Sequence, residues 1–81
     1  MNANIEEEIN KFLEEINKMG YKDEMNLNSS ETARIIGVSP SSIENWRKCG
    51  LGITYIEVVG RIVYPKRYIA EFLALRQVKI M

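Results

Sequence analysis

The chain has 81 residues, of which 46% are apolar, and its eleven acidic side chains balance its eleven basic ones. This length allows one small domain whose core is only marginally sufficient, so an extra helix or a second copy would help its stability. One cysteine and no histidine exclude a disulfide framework, histidine-containing metal sites and most histidine-based catalysis. No apolar run has the length of a membrane span and no signal peptide is evident, so we expect a cytoplasmic protein without a cofactor.

The zero net charge hides an unequal distribution of charged residues. Residues 1–25 carry seven acidic side chains and three lysines, whereas residues 26–81 carry eight basic and four acidic side chains. Local charge decides which surface attracts a polyanion, so the second part is the one expected to face nucleic acid. We therefore divide the chain into an acidic N-terminal segment at 1–25 and a domain at 26–81.

The N-terminal segment predicts one amphipathic helix from Asn4 to about Met19, ended by Gly20 and followed by a polar link at 21–26. Its apolar side chains recur at intervals of three and four residues, as in a helix with one buried face; they are Ile5, Ile9, Phe12, Leu13, Ile16 and Met19. The same spacing also fits a short coiled-coil seam. We expect this helix to pack mainly on its own domain, with the joining of two copies as the alternative.

Two short helices joined by a tight turn are predicted next. Asn28 followed by Glu31 is a capping box that opens the first helix, and Ser39 followed by Pro40 caps and starts the second. Gly37 permits the sharp turn between them. The spacing of Ala33, Ile43 and Trp46 lets these apolar residues form a core that both helices share. The other face of the second helix then stays exposed. This pattern is typical of a helix-turn-helix and makes DNA the leading candidate partner.

The composition changes to β-branched and aromatic residues after the second helix, which is expected to end near Cys49. Segments 53–59 and 62–64 predict a β-hairpin, with Gly60 and Arg61 as its two-residue turn. Cys49 itself is interpreted as a reduced packing residue, because no histidine is present to activate it.

Pro65 is expected to start a last helix with an apolar face formed by Ile69, Phe72 and Leu73. The predicted fold is therefore mainly α with a small β-hairpin. More specifically, it is a winged helix-turn-helix preceded by one N-terminal amphipathic helix.

The outward face of the second paired helix is small and polar, as a helix in the DNA major groove requires. Asn45 is the leading base reader, because its amide matches adenine. Ser41 and Ser42 lie in the first turn, where recognition helices approach base edges, while Arg47 and Lys48 are expected to contact phosphates.

Three more basic residues extend this predicted DNA-binding surface. Arg61 at the hairpin tip can reach a phosphate or a neighbouring minor groove. Lys66 and Arg67 lie in the first turn of the last helix, where cations oppose the helix dipole, and this favours a docked phosphate. The role of Glu44 stays open, since a carboxylate near phosphates is unfavourable unless it accepts from a cytosine or turns aside.

Each of these features also has an ordinary structural explanation. A basic residue at a helix end or in a turn is usually solvated, and the indole of Trp46 is expected in the core. The order of caps, glycine turn, tryptophan and hairpin along one chain favours the DNA-binding interpretation.

Three segments carry a family resemblance: SETARIIGVSPSSIENWRKCGLG, TYIEVVGRIVYPKR and YIAEFLALR. They resemble the helix-turn-helix, wing and closing helix of the MerR-like winged-helix domains of excisionases and AlpA-like prophage regulators. The resemblance covers 27–75 and implies a wing tip at Gly60 and Arg61 that contacts backbone or minor groove. It also implies a major-groove helix that reads bases through Ser41, Ser42 and Asn45. This chain departs from the family in its serines, where members often carry a basic residue, and in its acidic first helix.

We therefore expect a non-enzymatic, sequence-specific DNA-binding protein of a bacterium, phage or mobile element. It would act as a transcriptional regulator or as an excisionase that positions and bends DNA for a recombinase. A small terminase subunit, with a similar winged helix, resembles the chain nearly as well. The rival class is a protein-interaction module with an idle DNA face. Expected partners beyond DNA are a second copy joined through the N-terminal helix and a recombinase or other phage protein.

Overall fold

The computed structural model describes residues 3–77 and is mainly helical within that range. Its helices are α1 (Ala3–Ile16), α2 (Ser29–Ile36), α3 (Pro40–Lys48) and α4 (Lys66–Arg76), and its strands are β1 (Asn26–Leu27), β2 (Ile56–Val58) and β3 (Arg61–Pro65). This architecture confirms the predicted mainly α fold with a small β element. No helix in the described range has the length and apolar character needed to cross a bilayer.

The turn between α2 and α3 is built by the caps that the sequence indicated. Asn28 Oδ1 accepts a hydrogen bond from the Glu31 amide at 2.7 Å, and Glu31 Oε1 accepts one from the Asn28 amide at 3.0 Å. Gly37 has a φ of 93°, a left-handed conformation that glycine adopts without steric cost. Ser39 Oγ then caps α3 by accepting from the Ser42 amide at 3.3 Å. These contacts fix the relative direction of the two helices.

The strands form one antiparallel sheet in the order β1-β3-β2. Strand β1 was not indicated by the sequence, because its two residues pair with Tyr64 and Pro65, far along the chain. The predicted hairpin turn is wrong by one residue. Val58 pairs with Arg61, so the turn is Val59 and Gly60, which both have positive φ as a type I′ turn requires. Arg61 is therefore the first residue of β3.

The core lies where α1 packs on α4 and the α2–α3 pair closes over the sheet. Ile9 and Ile16 of α1 are 2% and 1% exposed, and Ile69 and Ala70 of α4 are fully buried. The expected packing of α1 on its own domain is thus present. Ile5, Phe12 and Leu13 are partly buried against the same core. The joining of two copies through α1 stays a prediction.

The end of α1 differs from the expected polar link. The chain continues from α1 through a π-helical turn, Asn17–Tyr21, which is broken by Gly20 with a φ of 102°. Tyr21, expected in the link, is buried in the core, and its hydroxyl accepts a hydrogen bond from Arg34 at 3.2 Å. The tyrosine ring can pack in the apolar core while its hydroxyl keeps a hydrogen-bond partner, which explains why a residue from a polar stretch is buried.

Candidate nucleic-acid interface

Helix α3 has one buried side and one open side. Ile43 is 2% exposed, and the Trp46 ring packs against the core with its centre 5.8 Å from that of Phe72. On the opposite side, Ser41, Asn45 and Lys48 are exposed. Their spacing of four and three residues places them on one face of the helix.

The open side of α3 is not covered by the N-terminal segment, which packs on α4. The side chains of Ser41, Asn45 and Lys48 form no hydrogen bond or ion pair with any residue in the described range 3–77. The face therefore offers a hydroxyl, a carboxamide and an ammonium group to an external partner.

Ser42 lies at the edge of this face and is half-buried. Its hydroxyl is 3.1 Å from that of Ser39, and its amide donates to the same Ser39 oxygen. Ser42 is therefore partly engaged in the cap of α3, while its neighbour Ser41 is fully available.

Glu44 is bonded within the chain, although its side chain is 38% exposed. Its carboxylate accepts a hydrogen bond from Ser29 Oγ at 2.5 Å and another from the Arg47 guanidinium. The Ser29 hydrogen bond, followed by that of Arg47, lowers the pKa of Glu44 below its usual 4.5. The carboxylate is therefore ionised at neutral pH and held by two elements.

Arg47 is directed away from the open face. Its side chain is only 22% exposed, and its guanidinium carbon lies 6.0 Å from the centre of the Tyr55 ring. The hydrogen bond to Glu44 raises the pKa of Arg47 above its usual value. The predicted phosphate role of Arg47 stays a prediction.

Tyr64 of β3 lies beneath this pair of charges. Its ring is 1% exposed and 6.1 Å from that of Tyr55, and burial raises the pKa of its hydroxyl. The Tyr64 hydroxyl and Arg47 Nε are both buried without a hydrogen-bond partner among residues 3–77. We call the polar residues that join α2, α3 and the hairpin the polar cluster: Ser29, Glu44, Arg47, Tyr55 and Tyr64.

Sequence reasoning did not find the polar cluster. Ser29 is 15 positions from Glu44, and no local pattern connects the two. The one signal was Glu44 itself, an acidic residue on a helix expected to face phosphates.

Arg61 is exposed at the start of β3, beside the turn. It forms no hydrogen bond or ion pair within the part of the chain that the structure describes. The turn residue next to it, Val59, is 97% exposed. The hairpin thus presents an unpaired guanidinium near its tip.

Lys66 and Arg67 are both bound to the N-terminal part of the chain. Lys66 Nζ donates to Asn17 Oδ1 at 2.6 Å and to the Tyr21 carbonyl at 3.0 Å. Arg67 donates to both carboxylate oxygens of Glu6, at 2.8 and 2.9 Å. Arg67 thus has a carboxylate partner and Lys66 has neutral oxygen acceptors, all supplied by the chain itself. A DNA role for these two residues stays a prediction.

An apolar groove lies on another side of the molecule. It has a volume of about 420 Å³, and the exposed Met25 stands at its border with Leu13, Ile56, Pro65 and Tyr68. No family model, no curated protein and no solved structure matches the chain.

Proposed function

We propose that this protein is a winged helix-turn-helix protein that binds double-stranded DNA sequence-specifically and without catalysis, in the cytoplasm of a bacterium. In this proposal α3 enters the major groove, and the β2–β3 hairpin is the wing. The observation that carries the proposal is the open face of α3, where Ser41, Asn45 and Lys48 are exposed and form no hydrogen bond or ion pair within residues 3–77. We name five residues as the proposed interface: Ser41, Ser42, Asn45, Lys48 and Arg61.

The chemistry of these residues fits the proposed division of roles. A carboxamide donates and accepts in the pattern that adenine presents in the major groove, so Asn45 is assigned to base reading. Lys48 and Arg61 are exposed cations that form no hydrogen bond or ion pair within residues 3–77, and they are assigned to phosphates. Serine hydroxyls match either donors or acceptors, which suits the first turn of a recognition helix.

The proposed biological role is that of a transcriptional regulator or of an excisionase that positions DNA for a recombinase. A packaging subunit of a terminase would use the same face of α3.

Selection of binding sites from random duplexes tests the proposal. We expect salt-sensitive binding and a selected sequence. Asn45→Ala is expected to cost about 1 to 3 kcal/mol on the selected duplex and nothing on unrelated duplexes. Asn10→Ala, at an exposed position of α1, is the matched control and should leave both affinities unchanged.

Two results would count against this assignment. Equal losses on every duplex for Asn45→Ala would show that Asn45 does not read bases. The absence of salt-sensitive binding by the wild-type protein would remove the proposed function and favour the interaction-module class.

A further inference from the structure

Arg47 stands on the proposed recognition helix and yet is held back from its open face. Its guanidinium bonds to Glu44 on the same helix, and its Nε is buried. An arginine on such a helix is expected to bind phosphate. The hydrogen bond between Glu44 and Arg47 therefore affects how well the protein distinguishes one DNA sequence from another.

The restraint on Arg47 is stronger than in other ion pairs of the same spacing. On α1, Lys11 pairs with Glu8 and Lys18 with Glu15 at 3.6 Å, and these lysines are 70% and 72% exposed. The Arg47 side chain is 22% exposed. The difference arises because the polar cluster surrounds the Arg47 guanidinium, whereas the two lysine side chains are mostly exposed.

Glu44 cannot follow Arg47 toward DNA without losing a second contact. One of its oxygens binds Arg47, and the other accepts from Ser29 at the start of α2. The Tyr55 ring, from the segment before β2, lies beside the guanidinium. A phosphate that recruited Arg47 would compete with an anchored carboxylate for the same guanidinium.

We propose that Glu44 withholds Arg47 from DNA and thereby lowers binding to DNA of unrelated sequence. This inference rests on the proposed function and adds a specificity-determining residue to it. Phosphate contacts carry no sequence information, so each additional one strengthens binding to all duplexes. When one arginine is withheld, Asn45 therefore contributes a larger share of the free energy of DNA binding.

The salt dependence of binding to an unselected duplex tests this inference, with wild type, Arg47→Ala, Glu44→Gln and the double variant compared. The expected slope of log affinity against log salt is the same for wild type and Arg47→Ala. Glu44→Gln is expected to steepen it by about 0.9, the value of one phosphate contact. Adding Arg47→Ala to Glu44→Gln should remove that increase.

Two further variants guard against other causes. Ser29→Ala removes the anchor of Glu44 without a change of charge and should steepen the slope in the same direction as Glu44→Gln. Glu15→Gln frees Lys18 in the exposed pair on α1 and should leave the slope unchanged. Circular dichroism of each variant establishes that it is folded.

The inference is overturned if Arg47→Ala alone lowers the slope by about 0.9, because Arg47 would then already contact phosphate. It is also overturned if the slopes of Glu44→Gln and the double variant are equal. Salt-insensitive binding by the wild-type protein would instead remove the proposed function itself.

Discussion

The open face of α3 and the start of α4 both carry basic residues, but only those on α4 are bonded to other parts of the chain. Lys48 on α3 and Arg61 beside the hairpin turn are exposed and unpaired within residues 3–77. Lys66 and Arg67 on α4 are bonded to α1 and to the π turn that follows it. The difference shows that the partner supplied by packing, and not the basic residue itself, decides which cations remain available to an external partner.

The acidic N-terminal segment therefore does more than add a helix to a small core. It presents Glu6 to Arg67, and it presents the Asn17 side chain and the Tyr21 carbonyl to Lys66. The basic excess of residues 26–81 consequently overstates the charge that faces an external polyanion.

The largest expected effect is a loss of stability when a bonded cation at the start of α4 is removed. Lys66→Ala should lower the free energy of unfolding by about 2 kcal/mol, because a charged donor with several hydrogen bonds is lost and its acceptors are left unpaired. Denaturation in urea measures this. The salt slope of DNA binding should not change. Lys18→Ala, in an exposed pair, is the matched control and should have no measurable effect on stability.

The reverse outcome is expected in the open region. Lys48→Ala and Arg61→Ala should each weaken binding to every duplex by about tenfold at 0.1 M salt and lower the salt slope by about 0.9. Neither should measurably change the midpoint of thermal unfolding, because neither side chain forms a hydrogen bond or ion pair in the described range. A loss of stability without a loss of affinity would erase the distinction between the two regions.

A substitution in the turn that precedes Arg61 is expected to have a smaller, stabilising effect. Val59 has a φ of 48°, which is costly for a β-branched residue, whereas asparagine is favoured at this position of a type I′ turn. Val59→Asn should raise the free energy of unfolding by about 0.5 to 1 kcal/mol. Val58→Asn, the same change within β2, should lower it. Equal effects at both positions would contradict the assigned turn.

The smallest expected effect is the pH dependence of the stability that Glu44 contributes through its hydrogen bond with Arg47. Because hydrogen bonds from Ser29 and then Arg47 lower its folded pKa, its contribution to stability is present above its usual value of 4.5 and is lost as the pH falls through the lower folded pKa. The difference in thermal midpoint between wild type and Glu44→Gln should be constant near neutral pH and shrink below about 4.5. A difference that grows with acidification would be inconsistent with this pair.

The sequence predicted those features that depend on neighbouring residues. The capping box of Asn28 and Glu31, the glycine turn at Gly37 and the buried Ile43 follow from local spacing, and all three are confirmed. Features that depend on distant contacts were missed or displaced. The pairing of β1 with β3 is one such feature.

The candidate site shows the same limit. The exposed face with Ser41 and Asn45 could be placed from helical periodicity alone. The partners of Glu44, Lys66 and Arg67 lie 15, 49 and 61 residues away along the chain, so no local pattern could assign them.

Titration of the protein with its selected duplex, followed by amide chemical shifts, tests the central claim most directly. The largest changes are predicted at 41–48 and at 59–61, on α3 and the hairpin turn. Changes concentrated instead on the outward side of α1 or around the groove between Leu13 and Tyr68 would contradict the proposal that the open face of α3 lies against DNA.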